Sequence, residues 1–353
     1  METITIIAVN RQSPHSLRLS PLRALAAATV LAAPFVLASC SSSSETPPTS
    51  ETSGTTSAVA AGSCPTEPVA VTTSVDQWGD IVSALGGGCA DVTTVLQSSS
   101  VDPHDYEPSP ADAAAFNGAQ LVVLNGGHYD EWAAKLAESS APNAPVVNAI
   151  ELTEGAHGAD EHADEHADEH DHDHADGINP HVWYNPSTVT AVVDAVTAQL
   201  STIAPDASDY FKGRRSEFAE SMQPYDNAIA KIKAGATGKS YAATESVFDD
   251  MAAALGLQNK TPQGYQASSS NETDPSPADL NAFLTLLGDR GVDVLIYNTQ
   301  TEGSVPQQIR SAAEGAGIPV VEVTETVAPG ADSFEAWQVD QLTSLAKALG
   351  VTL

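Results

Sequence analysis

Positive charge is scarce in this sequence. Fourteen lysines and arginines stand against 46 aspartates and glutamates in 353 residues, a net charge of -32. Phosphate backbones would be repelled by such a chain, which excludes nucleic acid as a partner. Cysteine is scarce too. Only Cys40, Cys64 and Cys89 occur, and their spacing fits no zinc pattern. Three catalytic signatures are missing: G-x-S-x-G, H-E-x-x-H and the P-loop. Histidine disappears after His181. Any cation held by the C-terminal part of the chain must therefore be held there by carboxylates.

What is present begins with a targeting segment. Arg11, Arg18 and Arg23 precede the apolar run "ALAAATVLAAPFVLASC" (24–40). That run has the length of a signal-peptide core and is short for a membrane span. Its end, Leu37-Ala38-Ser39-Cys40, looks like a bacterial lipobox, in which the cysteine is lipidated and becomes the mature N-terminus. Residues 1–39 are thus expected to be a signal peptide. Residues 40–66, rich in serine and threonine, are expected to be a flexible tether that holds a domain at the outer face of the cytoplasmic membrane. In that oxidising compartment Cys64 and Cys89 are expected to form a disulfide. It would join the start of the first lobe to the "GGGC" turn.

From residue 67 the pattern alternates between strand and helix. "VAVTTS" (69–74), "DVTTVLQ" (91–97) and "QLVVLNG" (120–126) read as strands. "DQWGDIVSALGG" reads as a helix with Trp78, Ile81, Val82 and Leu85 on one face. This is the pattern of an α/β protein with parallel sheets. An internal repeat extends the reading. "PSPADAAAF" (108–116) is followed by the apolar "AQLVVLN", and "PSPADLNAF" (275–283) by "VDVLIYN". Each serine is a good N-cap, each second proline fits the first helical turn, and each aspartate stands where a capping box needs it. Two lobes of like topology follow, over 67–205 and 237–353. Between them, Phe211, Phe218, Met222, Tyr225, Ile229 and Ile232 form one apolar stripe, which predicts a stiff linker helix over 206–236, bent at Pro224.

The run 157–176 differs from everything around it. It holds His157, His162, His166, His170, His172 and His174 among nine acids and almost no apolar residue. Such a segment buries no core and reads as a disordered loop able to attract metal weakly. Outside it and the signal segment, only His104, His128 and His181 remain. His104, in "VDPHDYEPSP", follows a predicted strand, where ligands of open α/β sheets bind. His181, in "INPHVWYNPS", precedes a helix capped by Asn185. In the second lobe, Glu245 of "ATESVFDD" and Glu325 of "VEVTETV" lie just past strands, with Glu322 a weaker rival to Glu325. Two neutral imidazoles and two carboxylates would cancel the charge of one divalent ion, which makes its burial tolerable.

With these residues in place, the sequence resembles the zinc- and manganese-type solute-binding lipoproteins of ABC importers, the TroA-like cluster A-I family. The motifs that carry the resemblance are "DPHDYEPSPAD", "NPHVWYNP", "ATESVFDDMAAALG" and "VEVTETV". It implies two α/β lobes joined by a rigid helix, with one metal held in the cleft between them by four side chains. It places His104, His181, Glu245 and Glu325 at the ligand positions. It also implies delivery of the ion to an ABC permease of the cytoplasmic membrane, by a monomer. There are departures: Asn179 and Asn185 stand where the second motif usually carries aspartate, and Asn298 stands where an acidic residue is common. His128 and Glu131 lie near the implied cleft. Four protein ligands would leave no position for a catalytic water, so capture is expected and enzymatic turnover is not. The imidazole-rich loop favours zinc and the two glutamates also suit manganese; zinc is the expected cargo, with manganese the alternative.

Overall fold

The computed structural model describes residues 64–97, 104, 106–153, 179–271, 273–301 and 303–353. The signal segment, Cys40 and the tether up to residue 63 lie outside the described residues, as does the histidine run 157–176.

The first lobe is built from β1 (Val69–Val75), α1 (Asp76–Gly86), β2 (Ala90–Leu96), α2 (Pro110–Ala115), β3 (Leu121–Leu124), α3 (Glu131–Ser140), β4 (Val146–Asn148) and α4 (Pro186–Ile203). Its four strands are parallel, in the order β2-β1-β3-β4. The second lobe is built from β5 (Ser240–Ala243), α7 (Asp249–Leu255), β6 (Gln258–Asn259), α8 (Gln263–Ser270), α9 (Pro277–Gly288), β7 (Val294–Asn298), α10 (Ser304–Ala316), β8 (Val320–Val323) and α11 (Phe334–Leu349). Its parallel order, β6-β5-β7-β8, is that of the first lobe. The two PSPAD segments open α2 and α9, and each of these helices leads into the third strand of its sheet. Ser109 and Ser276 accept the backbone N–H groups of Asp112 and Asp279, with a complete capping box at the first. The repeat in the sequence is thus a repeat in the fold.

Helices cover both faces of each sheet, so the central strands are apolar throughout rather than alternating. Every residue of β3, β5 and β7 is buried. Trp78, Ile81, Val82 and Leu85 of α1 are all fully buried. One continuous apolar core takes residues from β1, α1 and α4 of the first lobe, from β7, β8 and α11 of the second, and from the helices between them. Two smaller cores lie apart, around Phe116 and Leu124 in the first lobe and Phe283 and Ile309 in the second. A shared core of this kind disfavours free movement of the lobes.

The predicted linker is two helices, α5 (Ser208–Ser221) and α6 (Gln223–Gly235), which meet at Met222. The interruption falls two residues before Pro224, because proline cannot donate to the Glu220 carbonyl and its ring crowds that group. α5 packs on α1 and α4, whereas α6 packs on α7 and α11. The linker is therefore fastened to both lobes.

Cys64 and Cys89 form a disulfide, with Cα atoms 4.9 Å apart, across a sequence separation of 25. It pins the start of the first lobe to the turn after α1. Closing a loop of that size in the unfolded chain stabilises the fold by about 3 kcal/mol. The double variant C64S/C89S is expected to lose about that much, measured as a lower urea midpoint with an intact folded signal.

Candidate metal centre

His104, His181, Glu245 and Glu325 converge where the carboxyl ends of the two sheets face each other. One ligand atom from each lies within 4.8 Å of every other. His104 Nε2 and His181 Nε2 are 3.4 Å apart. Glu325 Oε2 is 3.6 Å from the first and 3.7 Å from the second, and Glu245 Oε1 is 3.9 Å from His181 Nε2. Donors about 2.0–2.1 Å from a tetrahedral zinc stand roughly 3.3–3.4 Å from one another. The two histidines and Glu325 lie close to that size, while the cluster as a whole, up to 4.8 Å across, is wider. His181 and Glu325 are 2% and 1% exposed, so the cluster is closed to bulk water on those sides.

The fold places each group for an identifiable reason. His104 follows β2, and its ring stands edge-on to buried Tyr129, centroids 4.9 Å apart. His181 sits on a short strap, 179–185, ahead of α4, and the strap is held from both sides. On the first-lobe side, the Asn125 amide donates to the Pro180 carbonyl at 2.8 Å. Asn125 ends the β3 side of the sheet, accepts the Trp78 indole N–H, and is itself positioned by Asp130, which accepts the backbone N–H of Asn125 and of Gly126 at 2.7 Å each. Gly126 has φ +87°, and a Cβ there would collide with the Asn148 side chain. On the second-lobe side, the Asn179 amide donates to the Ser246 carbonyl at 2.9 Å, and the Tyr184 hydroxyl lies 2.7 Å from both the Thr324 carbonyl and Gln341 Oε1.

Asn179 also fixes which ring nitrogen of His181 carries a proton towards the strap. Its amide nitrogen is committed to Ser246, so its oxygen faces the ring and accepts from Nδ1 at 2.7 Å. In the neutral ring with its proton on Nδ1, the Nε2 lone pair faces the cluster, which is the form that ligates metal.

The carboxylates are held by Asn298, the last residue of β7. Its amide nitrogen is 2.8 Å from Glu245 Oε2, 2.7 Å from Glu325 Oε1 and 2.8 Å from Thr301 Oγ1. The Thr301 hydroxyl makes a short hydrogen bond to the same Glu245 oxygen. Gln300 Oε1 accepts the backbone N–H groups of Glu325 and Thr326 at 2.7 and 3.0 Å. Burial raises the Glu245 carboxyl above its ordinary range, and the neighbouring Glu325 charge adds to the rise.

The remaining candidates fall elsewhere. His128 is exposed and pairs with Glu131 at 3.0 Å, outside the cluster. Glu322 points away and pairs with Arg310 at 2.7 Å. His157, His162, His166, His170, His172 and His174 lie outside the described residues. Asn179, Asn298, Gln300 and Thr301 were not candidates. Two of them, Asn179 and Asn298, were visible as departures from the resembled pattern.

Fold and cluster together define a two-lobed α/β binding protein whose ligand-type side chains come from both lobes. The chain belongs to the ZnuA family, described as "Zinc-uptake complex component A periplasmic", which it matches over residues 71–348. It is 32% identical over 235 residues to the high-affinity zinc uptake system protein ZnuA of Bacillus subtilis, covering 65% of this chain and 71% of that protein. It is 23% identical over 168 residues to the manganese-binding lipoprotein MntA of Halalkalibacterium halodurans, covering 46% of this chain and 49% of that protein. Its fold is that of the periplasmic zinc-binding protein TroA of Treponema pallidum, with a TM-score of 0.62 at 18% identity, over 80% of this chain and 99% of the other.

Three carboxyls around the site bear on stability. Burial pushes Asp130, Asp76 and Asp249 each up to about 6, against hydrogen bonds that pull the other way. An unfolded aspartate titrates near 3.9. The folded state therefore holds protons that unfolding releases. The stabilisation is complete below about pH 4 and is lost as pH rises through about 6. The melting temperature of the metal-free protein is expected to rise on going from about pH 7.5 to about pH 5. The D249N variant is expected to show a shallower slope.

Proposed function

We propose that this protein captures one divalent transition-metal ion, zinc first, outside the cytoplasmic membrane and passes it to the permease of an ABC importer. The observation that carries the reading is the convergence of His104, His181, Glu245 and Glu325, with all ligand atoms within 4.8 Å of one another. Two imidazole nitrogens and two carboxylate oxygens form a donor set that zinc accepts in tetrahedral geometry. The two carboxylates and the ion sum to zero charge, which is what a site this buried requires. Membership of a family described by zinc uptake supports the same cargo.

Manganese is the second reading. Glutamate is a hard oxygen ligand that suits it, and one relative is named as a manganese-binding lipoprotein. Attachment through lipid on Cys40, monomeric action and the lobe boundaries at 67–205, 206–236 and 237–353 belong to the same proposal. So does a collecting role for the histidine run 157–176, which would gather zinc at low affinity for the tight site. Four protein ligands leave no position for an activated water, so the site serves capture rather than hydrolysis.

His104→Ala and His181→Ala are each expected to weaken zinc binding by at least about a hundredfold, and Asn179→Ala by about tenfold to a hundredfold. Chelator-competition titration measures all three, and parent-like affinity in both histidine variants would sink the assignment. Deleting residues 157–176 is expected to leave one tight zinc per chain by metal analysis; loss of nearly all binding would instead make the run the true site.

A further inference from the structure

We infer that Asn298 sets the preference of this site for zinc over manganese, by holding the outer oxygen of each glutamate so that each offers the ion one oxygen and not two. The inference rests on the capture reading above and goes a step further, to the residue that chooses the cargo.

The geometry divides the four carboxylate oxygens into two pairs. Glu245 Oε1 and Glu325 Oε2 face the imidazoles, at 3.6–3.9 Å. Glu245 Oε2 and Glu325 Oε1 face away from them and lie 2.8 and 2.7 Å from one atom, the amide nitrogen of Asn298. That nitrogen cannot be exchanged for the amide oxygen by a flip, because Asn298 Oδ1 already accepts the Gln300 backbone N–H at 3.0 Å. Its two protons are therefore shared among the two outer glutamate oxygens and Thr301 Oγ1, all 2.7–2.8 Å away. Thr301 adds a second donor to the outer oxygen of Glu245. Gln300 fixes the backbone of Glu325, from which the carboxylate reaches Asn298. Asn298 is 1% exposed, so its amide is shut off from bulk water.

The consequence is a coordination number. Two imidazoles and two one-oxygen glutamates make four donors, a full shell for zinc. The same residues with both glutamates bidentate make six, the number that octahedral manganese sites fill with oxygen-rich ligands. Releasing the outer oxygens converts the first arrangement into the second without changing a single ligand. An aspartate at this position could not donate and would add a third negative charge beside the two glutamates. The asparagine is both the donor and the neutral partner that the arrangement needs.

The test compares parent, Asn298→Ala and Thr301→Val as full mature protein. Zinc and manganese affinities are measured by chelator competition, and first-shell donor number by X-ray absorption at the metal edge. The parent is expected to show four nitrogen or oxygen donors to zinc. Asn298→Ala is expected to lower the zinc-to-manganese affinity ratio at least about tenfold, the scale of an outer-shell partner, and to raise the donor number to five or six. Thr301→Val frees Glu245 only in part and should shift the ratio in the same direction by less. A folded Asn298→Ala with the parent's ratio and donor number overturns the inference. If Asn298→Ala fails to fold, an unshifted ratio in Thr301→Val overturns it. A parent that binds no stoichiometric metal overturns the capture reading itself, whereas a zinc-binding parent with unshifted variants overturns only the role of Asn298.

Discussion

Two carboxylates side by side inside a protein repel each other through a medium that screens poorly, and each has lost most of its water. Glu245 and Glu325 are in that position: burial raises the Glu245 carboxyl, and the Glu325 charge adds to the rise. Such a pair persists only where something positive or proton-donating is supplied. Asn298, Thr301 and the backbone support from Gln300 supply part of it from below. Facing them from above are the imidazoles of His104 and His181, 3.6–3.9 Å away. The proposed cargo, a divalent cation between the two layers, would balance the two carboxylate charges. The rest of the structure keeps the layers facing each other.

The shared core explains how they stay in register. The inner surfaces of both sheets, α11 and both linker helices pack into one apolar body, so the lobes are not free to drift. The strap that carries His181 adds a polar version of the same constraint. Asn179 reaches Ser246 and Tyr184 reaches Thr324, the residue before Glu325. A single seven-residue segment thus carries His181, bonds its ring Nδ1 through Asn179, and holds the backbone beside Glu325 of the opposite lobe.

The two lobes repeat a plan and then put it to different uses. In each, a proline-led, serine-capped helix feeds a third strand followed or ended by an asparagine at the cleft. Asn125 uses its amide to hold the Pro180 carbonyl, and so orients a histidine by its main chain. Asn298 uses the same amide to hold two carboxylates directly. The placement is common to both lobes because the strand order is common. The task differs because imidazoles need a lone pair left clear, whereas paired carboxylates need donors.

Local chemistry carried a large share of this into the sequence. The parallel lobes followed from apolar runs and from the doubled PSPAD segment, since capping and periodicity act over a few residues. His104, His181, Glu245 and Glu325 stood out because few histidines were available and because strand ends are where such folds bind. The exact break of the linker at Met222 did not stand out, because a proline distorts the turn before it by an amount that packing decides. Asn179, Gln300, Asn298 and Thr301 were silent as partners. A neutral amide has no signature of its own; its meaning depends on which atoms lie within 3 Å of it, and those come from segments as far apart as residues 179 and 246. The sequence by itself determined the two-lobed α/β plan and the four candidate donors, because those depend on neighbours along the chain. The tertiary structure alone decided that the donors share one point, which of their atoms face it, and what holds the others away, because hydrogen-bond geometry exists only between segments that folding has brought together.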